Sequence, residues 1–269
     1  MRRTFADAYG PWALVAGASR GVGSAFAAAL ARRGLNLVLV ARNENALEKV
    51  AREIEATAGV KVVQVVGDLA KPDIIDHITA AIAGLDIGLL VYNSGITNAG
   101  SFLELPVDGH LRQLAVNCGA QVALVHLLAR RMAARGRGGL LFMSSLNALA
   151  GSPIVAAYGA TKAFSLILGE GLATELGPLG IKVTVCCAGV IDGETEAAKS
   201  SKLSLFRPPA IAATRVASAA LDALGRRTVV VPGLFYRIVA LSLVRLLPRA
   251  MARWLMARTS RELDFGSPS

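Results

Sequence analysis

Short runs rich in Val, Leu and Ile recur along the chain at 12–16, 35–41, 60–66, 87–92, 139–144, 181–187 and 228–232. They are continuously apolar rather than alternating, the pattern of strands covered on both faces. Longer Ala-rich stretches with helical spacing lie between them, near 22–33, 44–58, 73–83, 108–135, 158–177 and 210–224. This alternation predicts an α/β protein with a doubly wound parallel sheet of about seven strands. No linker, repeat or low-complexity tract interrupts it. Two regions break the rhythm. Residues 190–209 are polar and end in Pro208 and Pro209, predicting a loop or a short helix. Residues 233–261 follow the last strand and predict a C-terminal helical extension divided at Pro248.

Composition narrows the class. With 54% hydrophobic and 18% charged residues in 269, disorder is excluded and one large core is within reach. Three cysteines, two of them adjacent (Cys186 and Cys187), make no disulfide framework, which predicts a reducing, cytoplasmic compartment. The uncharged stretch 138–161 contains Ser144, Ser145, Asn147, Ser152 and Pro153, a poor membrane span. Asp7 and Arg20 interrupt what would otherwise imitate a secretory leader after Arg2 and Arg3. Neither a leader nor a transmembrane helix is expected.

Net charge is +10, and its placement matters more than its size. Residues 226–261 hold arginines 226, 227, 237, 245, 249, 253, 258 and 261 and no carboxylate, whereas the preceding body is close to balance. Apolar residues lie among those arginines: Leu234, Phe235, the run 238–244, Leu246, Leu247, Met251 and Trp254 to Met256. Such a segment can lie on an anionic membrane, dock an acidic carrier, cap the protein's own cleft, or simply pack with its arginines solvated. It carries few aromatics and no recognised nucleic-acid module, so nucleic acid is not an expected partner.

Chemistry begins after the first strand, at Gly17-Ala18-Ser19-Arg20-Gly21-Val22-Gly23, which leads into a helix. Glycines there let backbone approach a pyrophosphate, and the helix N-terminus favours anions. A tight strand–helix turn would use the same residues. If the site is a Rossmann-type dinucleotide site, the tip of the second strand discriminates between cofactors: a carboxylate binds the ribose hydroxyls of NAD, an arginine the extra phosphate of NADP. The strand ends in Ala41-Arg42 with no acid, and Arg20 adds a second guanidinium, so the expected cofactor is NADP. Further along, Tyr158 and Lys162 are spaced to share one helix face, where an ammonium would stabilise a phenolate and lower the tyrosine pKa. A buried ring beside a solvated amine is the plainer alternative. Ser145 lies thirteen residues upstream at a predicted strand end, where open α/β sheets place their sites. His77, His110 and His126 have no metal-ligand spacing, and no metal is expected.

In these motifs and their order, over roughly residues 10–232, the sequence resembles the short-chain dehydrogenases/reductases. The likeness rests on the loop 17–23, Asp68-Leu69, Asn93-Ser94-Gly95, Asn117, Ser145, and Tyr158 with Lys162. It implies a dinucleotide-binding catalytic domain over 1–232, with 233–269 as a basic helical extension of it. Tyr158 would be the general acid/base. Lys162 would lower its pKa and bond the nicotinamide ribose, Ser145 would hold the substrate oxygen, and Asn117 would anchor a proton-relay water. Gly17, Ser19, Arg20, Gly21, Val22, Gly23, Arg42, Asp68 (at the adenine), Leu69, Asn93 and Gly95 would line the cofactor cleft. The resemblance also implies a homo-oligomer paired through the helices near 108–135 and 158–177.

The segments Tyr9 to Val15 and Arg33-Gly34-Leu35-Asn36 look like the branch containing β-ketoacyl-CoA reductases and hydroxysteroid dehydrogenases, which implies an apolar, acyl or steroid-like substrate. Departures are local. Ala16 stands where threonine is usual, Tyr92-Asn93-Ser94-Gly95 replaces Asn-Asn-Ala-Gly, and Ala188-Gly189 replaces Pro-Gly; Gly193 or Thr195 falls where a nicotinamide-binding threonine is expected. The expected activity is hydride transfer between NADPH and a ketone or alcohol. The alternative is a non-catalytic NADP-binding or membrane-associated protein that retains the fold.

Overall fold

The computed structural model describes residues 4–193 and 208–262. Seven parallel strands form one sheet in the order β3-β2-β1-β4-β5-β6-β7. They are β1 (Trp12–Ala16), β2 (Asn36–Ala41), β3 (Val62–Val66), β4 (Ile87–Tyr92), β5 (Gly138–Ser145), β6 (Ile181–Ala188) and β7 (Val229–Val230). The winding reverses between β1 and β4, so their carboxyl ends open a crevice at the topological switch point.

Continuous apolarity in the strands has a direct cause. Successive side chains point to opposite faces, and both faces are covered except at the edge strand β3, where Gln64 and Val66 are exposed. Ala13 and Val15 join one core with Phe26, Leu30, Val216 and Leu221, while Leu14 and Ala16 join the other with Ile78, Leu124 and Leu128. Cys186 and Cys187 are divided between the same two cores, both as free thiols. The covering helices are α2 (Gly21–Ala31), α3 (Glu44–Ala58), α4 (Ile74–Ala81), α5 (Val107–Leu114), α6 (Ala120–Ala134), α7 (Ala156–Leu176) and α8 (Ala213–Ala223). A short helix α1 (Phe5–Tyr9), absent from the expected elements, starts at a Thr4–Asp7 capping box.

Two expectations are corrected and a third falls largely outside the described residues. The single helix predicted over 108–135 is broken by a π turn at Ala115–Gly119 between α5 and α6. The last strand is only Val229–Val230, since Pro232 has no N–H to continue the ladder. Most of the loop expected over 190–209, including Thr195, lies outside the described residues, although its two flanks meet through an Ile191–Ile211 bridge.

The extension is helical and divided at Pro248, as its sequence predicts. It consists of α9 (Leu234–Leu241), a π turn (Ser242–Leu246) and α10 (Arg249–Glu262). Its inner face builds a third small core in which Leu243, Ala252 and Met256 pack on Ala150. Arg249 donates to the Leu149 carbonyl at 2.6 Å and the Ser152 hydroxyl to the Met256 carbonyl at 3.2 Å. The extension is thereby fastened to the loop between β5 and α7.

Candidate active site

The β1–α2 turn is held closed from three sides. Gly17, at φ +84°, donates its N–H to the Val40 carbonyl, and its own carbonyl accepts from Asn93 Nδ2 at 2.9 Å. Gly23 passes so close that a Cβ there would sit 1.8 Å from the Gly17 oxygen. Asn93 is thus a brace of the turn itself. Arg20 is the N-cap of α2 and is exposed; its side chain makes no capping bond, and Ser19 beside it is half-buried.

Arg42 is exposed at the tip of β2. Asp68, after β3, accepts from the Ala70 amide at 3.0 Å and from Arg112 Nη2 at 2.6 Å. Burial pushes the Asp68 carboxyl up, but the Ala70 amide, Arg112 and Arg42 together hold it below the usual carboxylate range. Leu69 turns into the core beneath. Arg112, on α5, was not singled out in the sequence, where its partner lies 44 residues away.

Tyr158 and Lys162 stand in the first half of α7. Lys162 Nζ is 5.6 Å from the centroid of the Tyr158 ring. The lysine is buried, its ammonium donates to the Met143 carbonyl at 2.9 Å, and the Ser144 hydroxyl donates to the Lys162 carbonyl at 2.7 Å. A Cβ on Gly95 would lie 3.0 Å from that ammonium, which places the end of β4 directly against it. Ser145 closes β5, and its hydroxyl oxygen accepts from the Asn147 amide at 3.2 Å. All three elements, α7, β4 and β5, meet at the carboxyl edge of the sheet.

Asn117 lies in the π turn and is held on both sides of its amide. Its Nδ2 donates to the Ile96 carbonyl at 3.0 Å and to Thr161 Oγ1 at 2.9 Å, and its Oδ1 accepts from the Ile96 amide at 2.9 Å. Both amide donors are committed, so a relay water would have to donate to the second lone pair of Oδ1 or to the backbone carbonyl. The π turn instead frees backbone carbonyls. One of them, on Val116, accepts from the buried Tyr92 hydroxyl at 2.5 Å. Tyr92 therefore ties β4 to the turn that carries Asn117. Thr161, likewise not singled out, receives from Asn117 and donates to the Tyr158 carbonyl at 2.8 Å.

A cavity of about 360 Å³ opens beside the first turn of α7, between Asn98, Phe102, His110, Pro153, Ile154 and Ala157. Ile154 holds φ +69°, a conformation β-branched residues rarely adopt, and its carbonyl accepts from the Gly100 amide at 2.9 Å. That strained residue sets the entry into the helix bearing Tyr158.

After β6, the departure at Ala188-Gly189 meets the extension. The Tyr236 ring lies over Gly189 so closely that a Cβ there would be 2.2 Å from it. The Tyr236 hydroxyl accepts from the Val190 amide at 3.0 Å and donates to the Pro209 carbonyl at 2.7 Å, joining both flanks of the loop. We expect Tyr236→Phe to lower stability by about 1–3 kcal/mol, since it leaves two polar backbone groups unsatisfied. Urea unfolding checks this; an unchanged midpoint at equal slope would show that the pin carries no stability.

The sequence matches the family model "short chain dehydrogenase" over residues 11–204. The 7beta-hydroxysteroid dehydrogenase of Collinsella aerofaciens is 35% identical over 183 residues, covering 68% of this chain and 70% of that one. A solved 7beta-hydroxysteroid dehydrogenase structure superposes with TM-score 0.86 at 28% identity, covering 94% of this chain and 99% of that one. A short-chain dehydrogenase from Sphingobium yanoikuyae in complex with NADPH gives 0.76 at 31% identity, covering 86% and 92%. Matched by the family model over most of its length, the chain belongs to the short-chain dehydrogenases and is an oxidoreductase of alcohol and carbonyl groups.

Proposed function

We propose that the chain transfers hydride between NADPH and the ketone or alcohol of an apolar, steroid-like or acyl, substrate, with Tyr158 as general acid/base. The observation that carries this reading is the Lys162 ammonium, buried 5.6 Å from the Tyr158 ring centroid and oriented by the Met143 carbonyl. A cation so placed stabilises the phenolate and eases proton transfer. In reduction Tyr158 protonates the carbonyl oxygen; in oxidation it takes the proton back. Ser145 Oγ donates to the substrate oxygen while accepting from Asn147. Asn117 acts as a positioning residue, clamping Ile96 and Thr161 around the lysine.

The closed β1–α2 turn, with Gly17, Ser19, Gly21, Val22 and Gly23 at the N-terminus of α2, fits a pyrophosphate. Asp68 and Leu69 fit the adenine side, Asn93 and Gly95 the crevice floor, and Lys162 the nicotinamide ribose. NADPH, when bound, supplies the hydride. The guanidiniums of Arg20 and Arg42 are exposed and make no hydrogen bond among the described residues, and the hydrogen-bonding partner of Asp68 is Arg112. Two guanidiniums are thus available for the extra phosphate of NADP. We expect Arg20→Ala or Arg42→Ala to weaken NADPH by about 10- to 100-fold, as loss of a charge-assisted bond does, and to leave NADH unchanged. The test is kcat/KM with both cofactors on a panel of steroid ketones and β-ketoacyl thioesters. Equal loss with both cofactors, or preference of the parent protein for NADH, would overturn the assignment. The steroid-like substrate is supported by the likeness to 7beta-hydroxysteroid dehydrogenases.

A further inference from the structure

We propose that the outer face of residues 234–258 is a docking surface for an anionic lipid bilayer. α9, the π turn and α10 bury one side and expose large apolar side chains interleaved with arginines on the other. Tyr236, Leu243, Ala252 and Met256 turn inward, at most 8% exposed, whereas Leu234 (73%), Ile238 (58%), Leu246 (68%) and Trp254 (61%) face out. Leu234, Ile238 and Leu241 are spaced i, i+4 and i+7, a single stripe, and Met251 and Trp254 continue the exposed side on α10. Large contiguous apolar surface of this kind marks an interaction site rather than scattered surface residues.

Charge selects the occupant. Arg245 and Arg253 are exposed, as are Arg237 and Arg249, which donate to the Val231 and Leu149 carbonyls, and none of the four pairs with a carboxylate among the described residues. The sequence supplies no acid at all between 226 and 261. A second copy docked face to face would bring two such arginine sets together with nothing between them, which disfavours self-pairing through this surface. An anionic headgroup layer over an acyl interior satisfies both features at once: the stripe enters the interface, and the arginines stay among the headgroups. The Arg258 guanidinium lies 5.7 Å from the Trp254 ring centroid, an aromatic–cation pair suited to that boundary. Among the described residues no helix is long and apolar enough to cross a membrane, so the extension would lie on the surface.

The geometry links this face to the site. Its inner side holds Leu149 and Ser152, on the loop between Ser145 and Tyr158, and Tyr236 holds Val190 and Pro209. Docking therefore brings the carboxyl edge of the sheet towards the bilayer, where apolar substrates collect. That consequence rests on the function proposed above; the docking itself does not.

The test is sedimentation of the full chain with phosphatidylcholine vesicles with and without phosphatidylserine, with tryptophan emission recorded. We expect binding about tenfold or more tighter on the anionic vesicles, weakened by salt, with a blue shift from Trp254 that is lost in Trp254→Phe. Ile238→Glu combined with Leu241→Glu should abolish binding, and Arg245→Ala combined with Arg253→Ala should weaken it about tenfold. Both sites are exposed, so thermal stability should stay at the parent value. Absence of binding, equal binding to both vesicles, or binding untouched by these variants would overturn the proposal. So would a homodimer, seen by light scattering, that shields Trp254 and is lost in the Ile238→Glu variant, which would assign the face to a second copy.

Discussion

Tyr158→Phe is expected to lower kcat by about 10²- to 10⁴-fold, the range for loss of a general acid/base, while NADPH binds as in the parent protein. In energy this is about 3–5 kcal/mol of transition-state stabilisation. The substitution deletes one oxygen and keeps the ring, so the Lys162 ammonium retains its aromatic neighbour at 5.6 Å. Lys162 is held independently by the Met143 carbonyl, and α7 by Ser144, so neither should move. Binding is read by cofactor fluorescence and turnover by NADPH consumption on whichever ketone the parent protein reduces. A variant retaining full turnover would remove Tyr158 from the chemistry. A variant that failed to bind NADPH would show that the hydroxyl serves the cofactor cleft instead.

Gly23→Ala is expected to be nearly as damaging, by a different route. The added methyl would sit 1.8 Å from the Gly17 oxygen and 2.8 Å from Asn93 Nδ2, so backbone must move. Forcing α2 away from β1 strains packing around Phe26, which is fully buried in the core beneath. We expect a loss of about 3 kcal/mol or more in stability, at the upper end for overpacking. NADPH affinity should fall at least about tenfold, because the Asn93–Gly17 brace cannot form in the opened turn. Denaturant unfolding and cofactor titration check the two effects separately. Parent-like values in both would mean that the turn has slack that its geometry does not show.

The two substitutions differ in how visible they are in the chain. Gly17, Gly21 and Gly23 stand between an apolar run and a helical one, and Tyr158 and Lys162 are one helical turn apart. Both are local patterns, and local backbone geometry follows from them. The stem to which Lys162 is tied is another matter. Met143 contributes only a carbonyl, a group every residue has, so no residue type marks it. Asn117 was legible as a family position, yet its engagement with Ile96 and Thr161 depends on a π turn that helical periodicity cannot announce. Arg112 looks like any helix-surface arginine until β3 and α5 bring it to Asp68.

By itself the sequence determined the seven apolar runs and the two-faced burial of the central ones, hence the doubly wound class, the glycine turn, the Tyr158–Lys162 spacing and the placement of positive charge in the extension. These follow from continuous apolar runs, the 3.6-residue helical period and residue type, all carried within short segments. Tertiary structure alone decided the rest. It turned the Asp68 carboxylate to Arg112, used up both amide donors of Asn117, and pinned Val190 and Pro209 under Tyr236. It also divided the extension into a buried face on Ala150 and an exposed one of apolar side chains interleaved with arginines. Each of these joins residues far apart in the chain, and such contacts exist only once the core has packed and the connecting loops have closed.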